Sequence, residues 1–337
     1  MIIVMKKGTK KHYIKGVIEF INQSKLKPVP LYGTERTVIA VIGDERILSK
    51  NFLLGMTGVD KVHSILKPYK LASLEAKKIP SKVRVGEIVF GGDKVIIMAG
   101  PCAIENEAQL ISIAKAVKKA GAKVLRGGAF KPRTGPYNFQ GLAEKGLKYL
   151  AKARKSTGLK IITEVMDPRD VNLVSKYADI LQIGTRNMQN YPLLKEVGKT
   201  KKPILLKRGM ASSYEELLLA AEYIMSQGNR EVILCERGIR SFEKYTRNTL
   251  DLGAIPALKE LTHLPIIVDP SHGTGRRSMV PSMSKAAIAA GADGLLIEVH
   301  THPEKSLVDA DQTISTHQFS DLMKDLKKIA SINGRKI

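Results

Sequence analysis

Eight short apolar runs follow one another from Val95 onward. They read VIIMAG, AKVLRGG, LKIITEV, ADILQIG, PILLKRG, EVILCERG, LPIIVDPSH and GADGLLIEVH. Unbroken runs of Val, Ile and Leu are typical of strands buried on both faces, and strands that alternate with helices pair in parallel. Eight strand–helix units in roughly 240 residues are the size of a (β/α)8 TIM barrel. The sequence therefore predicts this α/β fold for residues 91–337.

The stretches between these runs have their apolar residues at helical spacing. In EAQLISIAKAVKKAG, apolar side chains recur every three or four residues, and Gly121 stands where a helix commonly ends. A doubly wound open sheet also alternates strands and helices, but it usually carries a G-x-G-x-x-G turn after its first strand. No such turn follows VIIMAG, so the barrel is the favoured fold.

The first 70 residues follow a different pattern. MIIVMKK, KPVPLYG, ERTVIAVIG and VDKVHSIL are strand candidates, and KKHYIKGVIEFINQS and ERILSKNFLLGMTG are helix candidates. Their order, βαββαβ, predicts a small ferredoxin-like domain over residues 1–70. Residues 71–90 are predicted to be a linker to the barrel. The first domain carries no catalytic constellation, which indicates a binding or regulatory role.

Composition restricts the class of protein. No apolar run approaches the roughly 18 residues of a membrane span, and the first residues, MIIVMKKGTKKH, do not resemble a signal peptide. Only Cys102 and Cys235 are present, so we expect no disulfide framework and a cytoplasmic protein. The net charge of +23 is spread along the chain without a zinc-finger or RNA-binding motif. We therefore expect neither nucleic acid nor a membrane as partner.

Ionisable residues follow the strands, where a barrel carries its chemistry. One group is cationic and comprises Arg126, Lys131, Arg133, Arg186, Lys207 and Arg237. Arginine forks suit phosphate and carboxylate, and this group exceeds what one monoanion needs. Glu164 and Glu236 also follow strands and would neutralise part of the charge. The pattern predicts a ligand with several negative charges.

A second group lies after strands one, seven and eight, which become neighbours when the barrel closes. It offers Cys102, His272 and Glu298, with Asp309 or Asp311 in the following loop. A thiolate, an imidazole and carboxylates together fit Mn, Fe, Co or Zn without choosing among them. His300 shares the strand face of Glu298 and is an alternative ligand. We expect a divalent metal site here.

Long motifs in this order carry a family resemblance. They are AGPCAIE, VLRGGAFKPRTGPYNFQGL, QIGTRNMQN, LLKRGM, ILCERGIRSFEKYTRNTLD, VDPSHGTGRR and IEVHTHPE. Together they resemble the 3-deoxy-D-arabino-heptulosonate-7-phosphate (DAHP) synthase family, in the subgroup with an N-terminal ferredoxin-like regulatory domain. The resemblance implies a transferase of the shikimate pathway of aromatic amino-acid biosynthesis. Phosphoenolpyruvate, erythrose 4-phosphate and water would give DAHP and phosphate.

The resemblance also implies a role for each matching residue. Cys102, His272, Glu298 and Asp309 would bind the metal. The phosphoenolpyruvate phosphate would lie on Arg186, Lys207 and Arg237, and its carboxylate on Arg126 and Lys131. Arg133 and Thr134 would take the erythrose 4-phosphate phosphate. Lys131 would protonate the developing alkoxide, and Glu164 would position the attacking water.

Two further implications concern specificity and regulation. 3-Deoxy-octulosonate-8-phosphate synthase, which uses arabinose 5-phosphate, is the alternative, but the KPRT segment and the N-terminal domain favour the four-carbon sugar. The N-terminal domain resembles a module that binds tyrosine or phenylalanine between subunits. A feedback-inhibited homotetramer is therefore expected.

Overall fold

The computed structural model describes all residues from Met1 to Ile337 and divides into two compact units, Met1–Lys70 and Leu71–Ile337. The first unit contains strands β1 (Ile2–Met5), β2 (Lys27–Tyr32), β3 (Thr37–Ile42) and β4 (Val59–His63), with helices α1 (Lys11–Gln23) and α2 (Lys50–Gly55). Its antiparallel sheet has the order β2-β3-β1-β4. This is the predicted ferredoxin-like arrangement, and that prediction is confirmed.

One helix of the first unit differs from the predicted segment. ERILSKNFLLGMTG was expected to be a single helix, but a 3-10 turn over Glu45–Ile47 precedes the short α2. Ser49 separates them, because its hydroxyl accepts a hydrogen bond from the Phe52 N–H at 3.3 Å and so caps a new helix.

The second unit opens with a two-stranded hairpin, β5 (Val83–Val85) and β6 (Ile88–Phe90). Its four buried apolar side chains share one core cluster with residues of the barrel strands, including Ile96, Val124 and Ile162. Upstream, the Leu71 and Ala72 N–H groups donate to the Glu222 carboxylate at 2.9 and 3.0 Å. Residues 71–90, which the sequence predicts to be a linker, thus pack against the barrel.

Eight parallel strands then form the predicted barrel. They are β7 (Ile96–Gly100), β8 (Val124–Arg126), β9 (Lys160–Glu164), β10 (Ile180–Ile183), β11 (Ile204–Lys207), β12 (Val232–Glu236), β13 (Ile266–Val268) and β14 (Gly294–His300). Each strand pairs with the strand that follows it in the sequence. The last strand, β14, pairs with both β13 and β7, which closes the sheet. The TIM-barrel prediction is confirmed. A short strand, β15 (Ile314–Ser315), extends β14 on one side.

Helices connect the barrel strands. They are α3 (Glu107–Ala120), α4 (Ala143–Thr157), α5 (Val171–Tyr177), α6 (Tyr191–Gly198), α7 (Tyr214–Met225), α8 (Ala254–Leu261), α9 (Pro270–Thr274), α10 (Val280–Ala289) and α11 (Thr316–Ile332). Helix α3 begins where Asn106 accepts the Gln109 N–H at 2.9 Å, and it ends at Gly121, whose φ of 112° is left-handed. No helix of the chain is both long and apolar enough to span a membrane.

Candidate active site

The C-terminal ends of the barrel strands surround one pocket of about 180 Å³. Most of its lining is polar. The lining residues are Arg126, Lys131, Pro132, Arg133, Thr134, Asn138, Glu164, Gln182, Gly184, Thr185, Arg186, Lys207, Met210, Arg237, Arg247, His272 and Asp309. The six cations singled out from the sequence all contribute, and they share this pocket with two of the expected metal ligands.

The four residues expected to bind metal form a cluster at this pocket. Cys102 follows β7, His272 lies in α9, Glu298 lies in β14, and Asp309 lies in the loop beyond it. One ligand atom from each residue lies within 4.8 Å of the ligand atoms of the other three. Cys102 and Glu298 are 1% exposed, whereas His272 and Asp309 line the pocket. An ion in this cluster would therefore be reached through the pocket.

The contacts within the cluster suit a transition metal. The Cys102 Sγ lies 3.2 Å from Asp309 Oδ2, and His272 Nε2 lies 3.4 Å from Glu298 Oε1 and 3.7 Å from Asp309 Oδ2. The other ring nitrogen of His272, Nδ1, bonds to Asp269 Oδ2 at 2.8 Å. An imidazole whose second nitrogen is held by a carboxylate is typical of a metal ligand. The mixed sulfur, nitrogen and oxygen donors fit Mn, Fe, Co or Zn.

Burial and neighbouring charges shift the ionisation of the cluster. Burial raises the pKa of the Cys102 thiol, and the nearby Glu298 charge adds to this. Burial also lowers the pKa of His272. Burial tends to raise the pKa of Asp309, but the charges of His272 and Arg247 outweigh this effect and lower the pKa to about 2. A metal ion would thus meet ionised carboxylates and a protonated thiol, which must lose its proton on binding.

The structure separates the two alternative ligands from this cluster. His300 is buried, but its Nε2 lies 3.8 Å from Glu105 Oε2, and its Nδ1 accepts the His302 N–H at 2.9 Å. Asp311 lies beside Arg276 and Arg277 in a different surface cleft. Of the Asp309 and Asp311 pair, only Asp309 reaches the cluster.

Two of the cations connect the cluster to the rest of the pocket. Arg126 Nη1 donates to Glu298 Oε1 at 3.0 Å and to the Pro101 carbonyl at 2.8 Å, while its buried Nε has no partner. Lys131 Nζ lies 3.1 Å from the Cys102 sulfur and 3.2 Å from its carbonyl oxygen. Their charges therefore lie between the metal cluster and the remaining cations.

The remaining cations differ in whether a carboxylate neutralises their charge. Lys207 Nζ pairs with Asp269 Oδ2 at 2.5 Å. Arg237 is buried without a carboxylate partner, and burial lowers its pKa. Arg133 and Arg186 line the pocket without an ion pair. These unpaired guanidinium groups leave the pocket strongly positive.

The two strand-end glutamates occupy different environments. Glu236 accepts from Arg208 at 2.9 Å and from the Gly238 N–H at 2.5 Å, and it does not line the pocket. Glu164 faces the pocket and accepts only from Gln182 at 3.4 Å, and its Oε1 is buried without a partner. A Cβ at residue 184 would lie 1.9 Å from Glu164 Oε1, so Gly184 leaves room for this carboxylate. Because buried polar atoms almost always have a hydrogen-bond partner, we expect water or a ligand to bind at this oxygen.

The sequence analysis did not identify Arg247 or Gln312. Arg247 lines the pocket from the loop between β12 and α8 and donates to Asp309 Oδ1 at 3.2 Å. The sequence analysis selected polar residues that come soon after an apolar run. Neither Arg247 nor Gln312 does, so this criterion could not find them.

Both units match known sequence families. Residues 72–332 match the model of the DAHP synthetase I family, and residues 1–67 match that of the DAHP synthase ferredoxin-like domain. A phospho-2-dehydro-3-deoxyheptonate aldolase of Thermotoga maritima is 46% identical over 337 residues, which covers all of both chains. A 2-dehydro-3-deoxyphosphooctonate aldolase of Syntrophotalea carbinolica is 31% identical over 273 residues, or 75% of this chain and 98% of that one.

Solved structures agree with these matches. The crystal structure of the T. maritima phospho-2-dehydro-3-deoxyheptonate aldolase (DAHP synthase) has a TM-score of 0.93 at 46% identity, covering 99% of this chain and 98% of that one. A truncated form of the 3-deoxy-D-arabino-heptulosonate 7-phosphate synthase from the same organism has a TM-score of 0.75 at 45% identity, covering 80% of this chain and 98% of that one.

The two cysteines allow a direct test of whether the cluster binds a metal ion through Cys102. We expect Co²⁺ to produce near-ultraviolet absorption from thiolate-to-cobalt charge transfer, because Cys102 would be a ligand. Cys102→Ala should abolish this band. Cys235→Ala is the matched control, since Cys235 is equally buried but lies in the barrel core away from the cluster. A band that survives Cys102→Ala would contradict sulfur ligation at this position.

Proposed function

The chain belongs to the DAHP synthetase I family and is an enzyme of the transferase class, and we propose that it condenses phosphoenolpyruvate with erythrose 4-phosphate in a metal-dependent reaction. Water is consumed, and the products are DAHP and inorganic phosphate. The observation that carries this proposal is that unpaired guanidinium groups line one pocket, and that four side chains able to hold a divalent ion cluster beside them. Two phosphorylated substrates, one of them an aldehyde, require both features.

The cations divide between the two substrates. In this proposal Arg186, Lys207 and Arg237 bind the phosphoenolpyruvate phosphate. Arg126 and Lys131 bind its carboxylate. Arg133 and Thr134 bind the phosphate of erythrose 4-phosphate. All seven residues line the same pocket, so both substrates would be held at close range, and preorganised cations would offset the repulsion between two anions.

The metal would be held by Cys102, His272, Glu298 and Asp309. When bound there, a divalent ion supplies Lewis-acid polarisation of the aldehyde carbonyl. The chain's own residues set the conditions for this. Asp269 fixes the His272 ring through Nδ1, and the Arg126 guanidinium holds Glu298 Oε1 at 3.0 Å. Ligands fixed in this way reorganise little when an ion arrives.

Two residues would assist the bond-making steps. The C3 carbon of phosphoenolpyruvate attacks the aldehyde carbon, and Lys131 Nζ donates a proton to the oxygen that becomes an alkoxide. The attack leaves positive character at C2. Glu164 orients the water that adds there, since its Oε1 has no protein partner. The resulting hemiketal phosphate then expels inorganic phosphate.

The alternative substrate is arabinose 5-phosphate. The matched octulosonate aldolase of S. carbinolica covers 75% of this chain. Residues 1–67, which match a DAHP synthase domain, favour erythrose 4-phosphate, as does the KPRT segment at Lys131–Thr134. We propose that the enzyme serves the first step of aromatic amino-acid biosynthesis and assembles as a homotetramer.

Product analysis distinguishes the two aldehydes. With phosphoenolpyruvate and erythrose 4-phosphate we expect phosphate release and a seven-carbon sugar acid phosphate in the mass spectrum. EDTA should abolish both signals and Mn²⁺ should restore them, because the aldehyde needs a Lewis acid. An eight-carbon product from arabinose 5-phosphate, with none from erythrose 4-phosphate, would overturn the substrate assignment while retaining the metal.

Lys131→Met tests the proton-donor role. The substitution keeps an unbranched side chain but removes the ammonium, and general-acid catalysis typically contributes about 100-fold or more. We therefore expect kcat to fall by at least that factor with both substrates saturating. Lys152→Met is the control, since Lys152 pairs with Glu107 on the exposed surface. Wild-type kcat in Lys131→Met would exclude the role.

The ferredoxin-like unit is proposed to bind tyrosine or phenylalanine as a feedback inhibitor. We expect residues 71–337 alone to remain active but to lose inhibition. The cut is placed at Lys70 because residues 71–90 pack against the barrel, so their removal would also expose barrel core. The full chain is the control in the same assay. Tyrosine or phenylalanine that still inhibits residues 71–337 would place the regulatory site in the barrel.

A further inference from the structure

Arg247 and Gln312 connect the two carboxylates of the metal cluster from outside it. Gln312 is 2% exposed and donates from Nε2 to Glu298 Oε2 at 2.7 Å. Arg247 donates from Nη1 to Gln312 Oε1 at 3.0 Å and to Asp309 Oδ1 at 3.2 Å. Glu298, Gln312, Arg247 and Asp309 therefore form one continuous hydrogen-bonded chain, which we call the carboxylate strap.

The strap occupies one oxygen of each carboxylate and leaves the other facing the cluster. Glu298 Oε1 and Asp309 Oδ2, which the strap does not use, lie 3.4 and 3.7 Å from His272 Nε2. A carboxylate held by one oxygen cannot rotate freely. The strap thus selects which oxygen of Glu298 and of Asp309 is available to a cation.

The same loop also contacts the segment that carries His272. Asn248, next to Arg247, donates from Nδ2 to the His272 carbonyl at 2.9 Å, and the Arg247 N–H donates to the Thr274 carbonyl at 2.9 Å. Ile239 and Thr249 pair across the base of this loop. Residues 239–249 therefore contact His272 and Asp309 directly and Glu298 through Gln312.

We propose that Arg247 and Gln312 are positioning residues of the metal site, and that the carboxylate strap holds Glu298 and Asp309 in the orientation that binds the metal. The inference rests on the proposed function, because it requires that the cluster bind a divalent cation. Partners that orient metal ligands typically change metal affinity by about 10- to 100-fold when removed.

For Arg247, the effect of its charge on metal affinity is opposite to the effect expected of a positioning residue. Its guanidinium is a positive charge beside a site for a cation, so by Coulomb's law its removal should tighten metal binding. Positioning predicts weaker binding instead. Gln312 is neutral, so its replacement changes no charge and reports on positioning alone. The sign of the Arg247 effect therefore distinguishes the two explanations.

The experiment measures Mn²⁺ dissociation constants by competition with a fluorescent chelator. The proteins are the full-length wild type, Arg247→Met, Gln312→Met and the double variant. We expect each single variant to bind Mn²⁺ about 10- to 100-fold more weakly. The double variant should be little worse than the weaker single variant, because both break the same chain of contacts. Saturating Mn²⁺ should restore most of the turnover of Gln312→Met.

Arg276→Met is the matched control. Arg276 is a nearby cation that stacks over Tyr245 of the same loop at 3.9 Å but contacts neither carboxylate. We expect its Mn²⁺ affinity to be unchanged or slightly higher. Equal metal-free unfolding midpoints for all variants would show that the changes do not reflect misfolding. Arg247 is 41% exposed, which makes this substitution tolerable for the fold.

Three outcomes would overturn the inference. Unchanged or tighter Mn²⁺ binding by Arg247→Met and Gln312→Met, in an enzyme whose wild type binds Mn²⁺ and forms DAHP, would refute the strap and leave the proposed function intact. An equal loss in Arg276→Met would show a general effect of the loop. A wild type that forms DAHP without binding Mn²⁺, Co²⁺ or Zn²⁺ would refute both the strap and the metal dependence.

Discussion

The pairing of β14 with β7 closes the barrel, and the candidate site depends on this closure. In this register Glu298 lies opposite Gly100, two residues before Cys102. The last and first strands of the barrel thereby bring a carboxylate and a thiol together. The end of β7 must also approach β8 closely, since a Cβ at Gly100 would lie 2.1 Å from the Arg126 carbonyl oxygen. A larger residue there would force the end of β7 away from β8.

Buried charges are compensated in a way that links the candidate metal ligands to the cations that line the pocket. Asp269 Oδ2 accepts from Lys207 on one side and bonds to His272 Nδ1 on the other. Arg126 likewise pairs with Glu298 while it lines the pocket. Removing one partner of such a buried pair typically costs about 3–5 kcal/mol, because the other charge is left uncompensated. Substitutions in either half of the site should therefore affect the other half.

The eight apolar runs predicted β7–β14 because buried parallel strands have an unbroken apolar sequence, and closure explains why the residues after them meet. The hairpin β5–β6 was not predicted, because its buried residues Val83, Val85, Ile88 and Phe90 lie in two very short segments. They are buried by packing against the barrel strands, which a local sequence pattern does not show. The alternation of side chains along a strand did not predict the surroundings of His300 correctly. It follows Glu298 by two residues, yet it lies beside Glu105 at the end of β14, where β15 also pairs. The roles of the individual site residues stay predictions.

Among the four candidate metal ligands, Asp309 depends most on its surroundings. Cys102 lies two residues after β7, His272 lies in the short helix α9 that follows β13, and Glu298 lies within β14. Asp309 instead lies in a loop and has a left-handed φ of 56°. Aspartate adopts this conformation more readily than most residues, but it still costs of order 1–3 kcal/mol. The Thr313 hydroxyl donates to the Asp309 carbonyl at 2.9 Å, and Arg247 donates to its carboxylate. These two contacts restrain Asp309 at its backbone and at its carboxylate, and so hold Oδ2 beside the Cys102 sulfur and the His272 ring although the residue lies in a loop.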